Sequence, residues 1–430
     1  MEFCPSMCNS PLMVGEETTR SRSAALGTDY WRLWSTSGLS NLADGVLKVA
    51  VPLVAIDFTR SPPLIAGLTF AFTLPWLLFA LPAGALADRL DRRRLMLGAN
   101  AVRVALLAAL TLMVIFESGS ILALYVVAVC VGISETVYDT SAQSIVPRVV
   151  DRDQLSRANG RLYAVELTAN EFVGPPLAGL LTAVGVAFAF ATPAALWAVA
   201  IGVLLLMRGS FRAEWKPSAT TLRSDIAEGV RYLWRERILR TFAVMVGVFN
   251  FASTATQSIL VLYAVGESSA VGLSEQAFGL LLSTIAVGSL LGSFVAEWAE
   301  RVLGRARSIV LGFVAGALLI VIPALSTNPF LIGAGFLVGG AGIIISNVVM
   351  ISLRQRITPD RLLGRVNSGS RFVGWGTKPL GAVVGGVLAQ MIGLRAVFVI
   401  MGLVALAVLV GMVAVSNDAI KAAEREADSR

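Results

Sequence analysis

The sequence contains no histidine, only three cysteines and few charged residues for its length. Charged residues make up 15% of the chain, against about 25% in an average soluble domain. Cys130 stands in an apolar stretch, and Cys4 and Cys8 stand in a polar N-terminal extension, so a disulfide framework is not indicated. Without histidine, any proton transfer inside the protein near neutral pH has to use carboxyl groups.

Long apolar segments dominate what is present. Apolar residues account for 56% of the chain, and its mean hydropathy is +0.75. The charges stand in short clusters between apolar stretches of roughly 20 residues, which is the length that crosses a bilayer as a helix. These stretches lack the alternation of barrel strands, so the sequence predicts an all-α membrane protein. The twelve predicted transmembrane helices are 31–57, 64–87, 95–116, 120–143, 161–183, 186–207, 241–265, 275–298, 308–326, 328–352, 369–392 and 394–415.

The basic residues are distributed unevenly between the two sides of these segments. Of the 35 Lys and Arg residues, 29 fall in the tails and alternate loops, two in the opposite loops and four inside the predicted helices. This is the pattern of the positive-inside rule, and it predicts a multi-pass protein of the inner cell membrane with both termini cytoplasmic. It also attributes the net charge of +7 to topology, so we expect the lipid bilayer as a partner and no nucleic acid.

The chain divides into five predicted parts. A cytoplasmic extension, 1–30, precedes a six-helix bundle, 31–207, and a tail, 416–430, follows a second six-helix bundle, 241–415. No apolar segment follows the first cysteines, so a signal peptide is not indicated, and residues 1–22 are assigned no function. The linker, 208–240, contains an amphipathic helix whose apolar face is formed by Leu222, Ile226, Val230 and Leu233. We expect this helix to lie on the cytoplasmic membrane surface.

The two bundles carry related segments. Residues Arg148–Asn159 and Arg356–Asn367 share Arg, Leu, Arg and Asn at offsets of 207 to 208 positions, and each precedes a span rich in small residues. A parallel repeat of two six-helix halves is the construction of major facilitator transporters.

Two motifs strengthen the resemblance to that superfamily. The loop after the second helix, Gly84–Arg94, resembles the family's motif A, and a degenerate copy follows the eighth helix at Ala299–Arg305. The segments Ser40–Gly45, Arg148–Asn159 and Glu228–Trp234 resemble the branch of enterobactin exporters and macrolide-efflux proteins. The resemblance implies a secondary transporter that works by alternating access, as a monomer and without a cofactor.

The resemblance also implies a role for motif A. Asp88 is expected to cap the N-terminus of the eleventh transmembrane helix, near residues 364–370, when the two halves meet on the cytoplasmic side. Arg92 to Arg94 are expected to support that contact through ion pairs, with Asp139 as a partner. Plain positive-inside charge is the alternative for the arginines. The residues predicted to form the gating motif are Gly84, Asp88, Arg89, Arg92, Arg93, Arg94, Asp139, Glu300 and Arg301.

Several charges fall inside the predicted helices, where each costs at least ~2.5–3.5 kcal/mol at the bilayer centre. Our proton-coupling candidates are Glu135, then Asp44, then Glu171. Asp44 and Lys48 lie four residues apart on one helical face, so a static ion pair is the alternative for Asp44. The fourth helix lacks the buried arginine of related antiporters, so their coupling scheme does not transfer. Arg103, on a helix that is peripheral in this family, is expected to brace motif A.

Polar residues of the predicted helices could line a substrate cavity. The candidates are Lys48, Tyr138, Asn250, Gln257, Asn347 and Lys378. For the uncharged residues, an interhelical hydrogen bond is the alternative. The segment Gly174–Gly179 resembles the antiporter motif of the fifth helix, and either a functional bend or close packing of small residues explains it.

The sequence therefore favours a proton-coupled exporter of small amphipathic molecules such as drugs, macrolides or a siderophore. A lysophospholipid or lipid transporter of the same fold is one alternative, and a transport-inactive receptor or subunit is another. We expect no enzyme, because the sequence contains no P-loop, no nucleophile–histidine arrangement and no metal-ligand spacing.

Overall fold

The computed structural model describes residues 26–151, 154–209, 211, 222–414 and 425, and within these ranges the chain is almost entirely helical. The first half contains α1 (Thr28–Phe58), α2 (Pro62–Arg89), α3 (Arg92–Ile115), α4 (Ile121–Val149), α5 (Leu155–Leu167), a π-helix (Thr168–Val173), α6 (Gly174–Val184) and α7 (Val186–Leu206). The second half contains α8 (Leu222–Arg235), α9 (Arg237–Ala264), α10 (Glu275–Leu303), α11 (Arg305–Leu325), α12 (Pro329–Ile357), α13 (Asp360–Ile392), α14 (Leu394–Ala407) and a 3₁₀ turn (Val408–Ala414).

Eleven of the described helices are long and apolar enough to span a membrane. The twelfth crossing is the fifth along the chain, where α5, the π-helix and α6 follow one another without a loop. The predicted all-α fold with about twelve crossings is confirmed. The sequence pattern did not predict the π-helix that interrupts the fifth crossing.

Short links with defined caps join the crossings. The Ser120 and Ser274 hydroxyls accept hydrogen bonds from the main-chain amides of Ala123 and Ala277 at the starts of α4 and α10. Asn328 caps α12 in the same way, with a proline at the first helical position. These side chains satisfy amides that a helix start leaves unpaired. Because these links are short, the crossings that they join run in opposite directions.

Glycines set the packing of the second half. A side chain at Gly288 of α10 would overlap the main chain of Leu337 in α12. Gly312 of α11 and Gly342 of α12 face each other, and a Cβ on either would lie 2.6 Å from the main-chain oxygen of the other. Small residues let membrane helices approach closely, so α12 is held tightly between α10 and α11.

The amphipathic helix α8 packs on the second half. Leu233 is fully buried against Leu239, Leu362 and Val366, and Glu228 forms an ion pair with Arg365 at the start of α13. At Leu233, protein covers the apolar face, and the position of the helix on the membrane surface stays a prediction. The side chains of Leu222 and Ile226 lie outside the described part of the structure.

The two halves meet at the end of the molecule away from the termini. Arg60 donates a hydrogen bond to the main-chain oxygen of Val265 in the other half, at 3.3 Å. Gly179 of α6 packs on the main chain of Glu275 in α10, and Gly279 of α10 packs in turn on Pro175. Further in, the rings of Trp76 and Trp375 touch near the middle of α2 and α13. The described contacts between the halves lie at this end and near mid-helix, and we interpret the space between the halves on the terminus side as a crevice.

Candidate functional site

An ion pair between α1 and α4 faces this crevice. The Nζ atom of Lys48 lies 2.9 Å from Oε1 of Glu135. The side chains are 39% and 20% exposed, so both reach the crevice. The sequence showed no partner for Glu135 on its own helix. In the structure its partner is Lys48, on another helix.

A second ion pair lies behind the first and is sealed from solvent. The Nη2 atom of Arg103 on α3 lies 3.4 Å from Oδ1 of Asp44 on α1, with side-chain exposures of 0% and 2%. Arg103 also donates hydrogen bonds to Ser40 at 3.0 Å and to Asn100 at 3.2 Å. The alternative for Asp44, a static ion pair with Lys48, is not found, because each of the two takes a partner across helices.

Aromatic rings enclose the guanidinium of Arg103. Its Cζ atom lies 5.4 Å from the ring centre of Tyr138 and 5.1 Å from that of Trp197, within the range of cation–π attraction. The expectation that Arg103 braces motif A is also wrong, because its described contacts are with other residues. The sequence contained a pattern that predicts an inward-facing Arg103. Asn100 and Arg103 lie three residues apart on one face of an otherwise apolar helix.

Two further acids of the first half, Asp139 and Glu166, are half-buried. Asp139 lies one turn from Glu135 on α4, and the charges acting on it are those of Glu135, Asp44, Glu166 and Arg103. Among the described contacts, none pairs Asp139 or Glu166 with a base. The expected ion pair between Asp139 and the motif A arginines is therefore absent from the described structure.

The π-helix places Glu171 on the exposed surface of the crevice. Glu171 acts electrostatically on Lys48 and on Lys378 of the second half. The π-helix approaches α1 closely because Gly45 has no side chain, and a Cβ there would overlap the main chain of Asn170. Isolated π turns are rare in α-helices and occur frequently at functional sites.

The remaining cavity candidates separate into different environments. Tyr138 is fully buried beneath Arg103 and does not line the crevice in this conformation. Asn250 donates to the main-chain oxygen of Gly374 at 2.8 Å, an interhelical bond. Gln257 is exposed and donates to Ser253 of its own helix. Asn347 is exposed on α12.

Motif A makes its described contacts with main-chain groups. Arg93 donates to the oxygens of Leu204 and Leu205 at the end of α7, both at 2.8 Å. Arg92 donates to the oxygen of Ser144 in α4 at 2.7 Å. These are favourable positions for cations, because helix C-termini carry unpaired carbonyls. The side chain of Asp88 lies outside the described part of the structure.

Asp91 is a motif A residue absent from our predicted set. Its carboxylate accepts from the amide of Arg94 at 3.1 Å and so caps α3. It also accepts from the amide of Phe211, beyond α7, at 3.0 Å. An acidic residue just before a helix start is a recognisable sequence signal.

The degenerate copy of motif A forms local ion pairs. Glu300 at the end of α10 pairs with Arg305 at the start of α11, at 2.7 Å. Arg301 pairs with Glu297 at 3.1 Å on an exposed surface. Neither pair reaches the first half, so in this conformation they act within the second half.

A membrane protein of two six-helix halves around a charged central crevice has the architecture of a major facilitator transporter. The model of the family described as transmembrane secretion effector matches residues 21–430. The chain belongs to this family of transporters and is not an enzyme.

Several proteins similar to this chain are consistent with its membership of this family. The chain is 26% identical over 382 residues to the multidrug efflux pump Tap of Mycolicibacterium fortuitum, covering 86% of this chain and 90% of that protein. It is 28% identical over 397 residues to Tap of Mycobacterium tuberculosis, covering 89% and 92% of the two chains. A bacterial homologue of the iron transporter ferroportin, solved in its inward-facing state, superposes with a TM-score of 0.69 at 18% identity, covering 91% and 99%. At that identity the likeness concerns the fold.

Proposed function

We propose that the chain exports small amphipathic molecules in exchange for protons, and that Glu135 is its principal proton-binding residue. The observation that carries this proposal is the Lys48–Glu135 pair, a mid-membrane carboxylate in contact with a cation and with the open crevice. A proton on Glu135 removes its charge and leaves Lys48 without a counter-ion. Proton binding would therefore change the electrostatics of the crevice where the substrate binds.

The balance of charges in the first half supports the same proposal. Asp139 and Glu166 have no basic partner among the described contacts, and charges inside a membrane span are costly without a partner. Protons are the simplest counter-charge for such acids. Asp44 is less available, since Arg103 holds it in a sealed environment, so we place it after Glu135 among the proton-binding candidates.

Export is supported by the relatives whose names describe multidrug efflux pumps. The positive-inside distribution supports cytoplasmic termini, which makes the described conformation open to the cytoplasm. In that arrangement Asp88 would meet the start of α13 only when the cytoplasmic end closes. A lipid transporter and a transport-inactive receptor are the competing functions. A crevice with charged groups at mid-depth favours a transported solute over the receptor.

The test is transport by the purified protein in liposomes, measured both with a pH gradient and as passive exchange. The chain with Glu135→Gln should exchange substrate passively but should not concentrate it when a pH gradient is imposed. Glu297→Gln is the matched control, because it makes the same chemical change in an exposed pair outside the crevice. If the Glu135→Gln protein still concentrates substrate, Glu135 is not required for coupling. The double mutant with Asp44→Asn then tests the second candidate, and Glu171 is the third.

A further inference from the structure

Two cations on α13 face the crevice without a carboxylate partner in the described structure. Arg371 and Lys378 lie seven residues apart, which places them two turns apart on one face. Both lie over the ring of Trp375, with Lys378 Nζ 4.4 Å and Arg371 Cζ 5.8 Å from its centre. Cation–π attraction partly stabilises these charges, but it leaves their hydrogen-bond donors available to a ligand.

The same tryptophan belongs to an aromatic surface shared by the two halves. Trp375 of α13 and Trp76 of α2 have ring centres 4.9 Å apart, at an interplanar angle of 39°. Trp375 is 41% exposed. A planar or apolar group could therefore lie on these rings while a polar group next to it reaches Lys378.

The neighbouring acids do not neutralise Lys378 by contact. Glu171 and Glu135 both act on it electrostatically. Glu135 is held by Lys48 at 2.9 Å, and among the described ion pairs none joins Lys378 to Glu171 within 4.0 Å. A charge within the membrane normally pairs with another charge or faces water. An anionic group of a ligand would therefore supply the counter-charge that no described contact gives Lys378.

We propose that Lys378 binds an anionic group of the transported molecule, such as a carboxylate, while the Trp76–Trp375 surface holds its apolar body. Arg371 lies closer to the open end of the crevice and would meet the anion first. This inference names the substrate class of the crevice, and it rests on the proposed function as an exporter of small molecules.

Three dansyl probes that differ in charge test the proposal by fluorescence titration of the purified protein in nanodiscs. Dansylglycine carries a carboxylate, dansylglycinamide is neutral and dansylcadaverine carries an amine. Lys378→Gln should weaken dansylglycine binding about tenfold, as expected for the loss of a charged hydrogen-bond donor, with less than about a twofold change for the other two probes. Lys378→Arg should retain most of the affinity for dansylglycine.

Two further variants separate charge from packing. Glu171→Gln should strengthen dansylglycine binding and weaken dansylcadaverine binding, because it removes a negative charge that acts on Lys378. Trp76→Leu should weaken all three probes to a similar extent. Arg161→Gln is the matched control, since Arg161 lies over Trp31 at 5.6 Å near the terminus end of the first half, and it should change none of them.

The proposal is overturned if the wild-type protein binds dansylcadaverine and not dansylglycine, or if Lys378→Gln weakens all three probes equally. It is also overturned if dansylglycine does not bind at all. Efflux of ethidium, a cation, from cells expressing the protein provides a separate measure of export. Ethidium export without dansylglycine binding would overturn the anion site and leave the proposed function in place, whereas dansylglycine binding without transport of any probe would contradict the proposed function.

Discussion

The two bundles differ in where ion pairs join their helices. In the first half, charged side chains meet across helices, as Lys48 meets Glu135 and Arg103 meets Asp44. The ion pairs that join helices in the described second half lie at helix ends. Close glycine contacts occur in both halves, as at Gly45 in the first and at Gly288 and Gly312 in the second. An ion pair can be opened by a proton or a ligand, whereas a close-packed glycine contact opens only if the helices move apart. Among the described contacts, the mid-helix ion pairs that a proton could open therefore lie in the first half.

Removing the buried cation of the first half should have the largest effect on stability. Arg103→Leu leaves Asp44 buried without a counter-charge, and we expect a loss of about 3–5 kcal/mol in the free energy of unfolding. Adding Asp44→Asn should recover much of that loss, because no isolated charge remains. Thermal unfolding in detergent measures both variants. Equal stability of the single and double variants would show that the ion pair is not what holds this region together.

A glycine contact in the second half should come next. Gly288→Val places a side chain against the main chain of Leu337, and we expect a loss of about 1–3 kcal/mol from overpacking. Gly202→Val on α7 is the matched control, because an added Cβ there meets nothing within 4 Å. If both substitutions lowered the unfolding temperature equally, the loss would not come from the close contact at Gly288.

Substitution at the contact between the halves should change conformation more than stability. Gly179→Val would press on Glu275 only when the end away from the termini is closed. We expect that conformation to lose about tenfold in population relative to its alternative, a difference of about 1.4 kcal/mol. Spin-label distances across the terminus end of the crevice measure the shift. An unchanged distance distribution would show that the helices accommodate the added side chain.

The smallest effect is expected at motif A. Arg93→Ala removes two hydrogen bonds to the end of α7, and we expect a loss of about 0.5–1.5 kcal/mol for such partly exposed bonds. Arg94→Ala is the control, because the hydrogen bond described for Arg94 uses its main-chain amide. Similar unfolding temperatures for the two variants would assign both arginines to membrane topology alone.

Hydropathy was sufficient to predict the helices, because a bilayer sets the length of an apolar segment whatever its neighbours are. It was not sufficient to predict the partners of the charged residues. Spacing along a chain identifies neighbours on one helix, so it offered Lys48 as the alternative partner of Asp44. The actual partners, Arg103 and Glu135, lie 59 and 87 positions from Asp44 and Lys48 along the chain.

The same limit explains the reassignment of Asp139. Its position near the inner end of the fourth predicted helix, 120–143, suggested contact with the arginines of motif A. Those arginines bind main-chain oxygens instead. Every residue has a main-chain carbonyl, so residue types do not identify such partners. The π-helix was missed because its hydrogen bonds differ from those of an α-helix by one residue, which hydropathy does not resolve.

The π-helix in the fifth crossing determines both the position of Glu171 and the rotation of α6, which carries Gly179 to its contact with α10. A π turn takes up about one residue more than an α turn, so the helix that follows is rotated by about 100° relative to an uninterrupted α-helix. The angle at which Gly179 meets α10 is therefore fixed by the same six residues that carry Glu171 into the crevice. Deleting or inserting one residue in this segment would turn α6 about its own axis. Gly179 would then no longer face Glu275 of α10, although no residue of this contact had been changed.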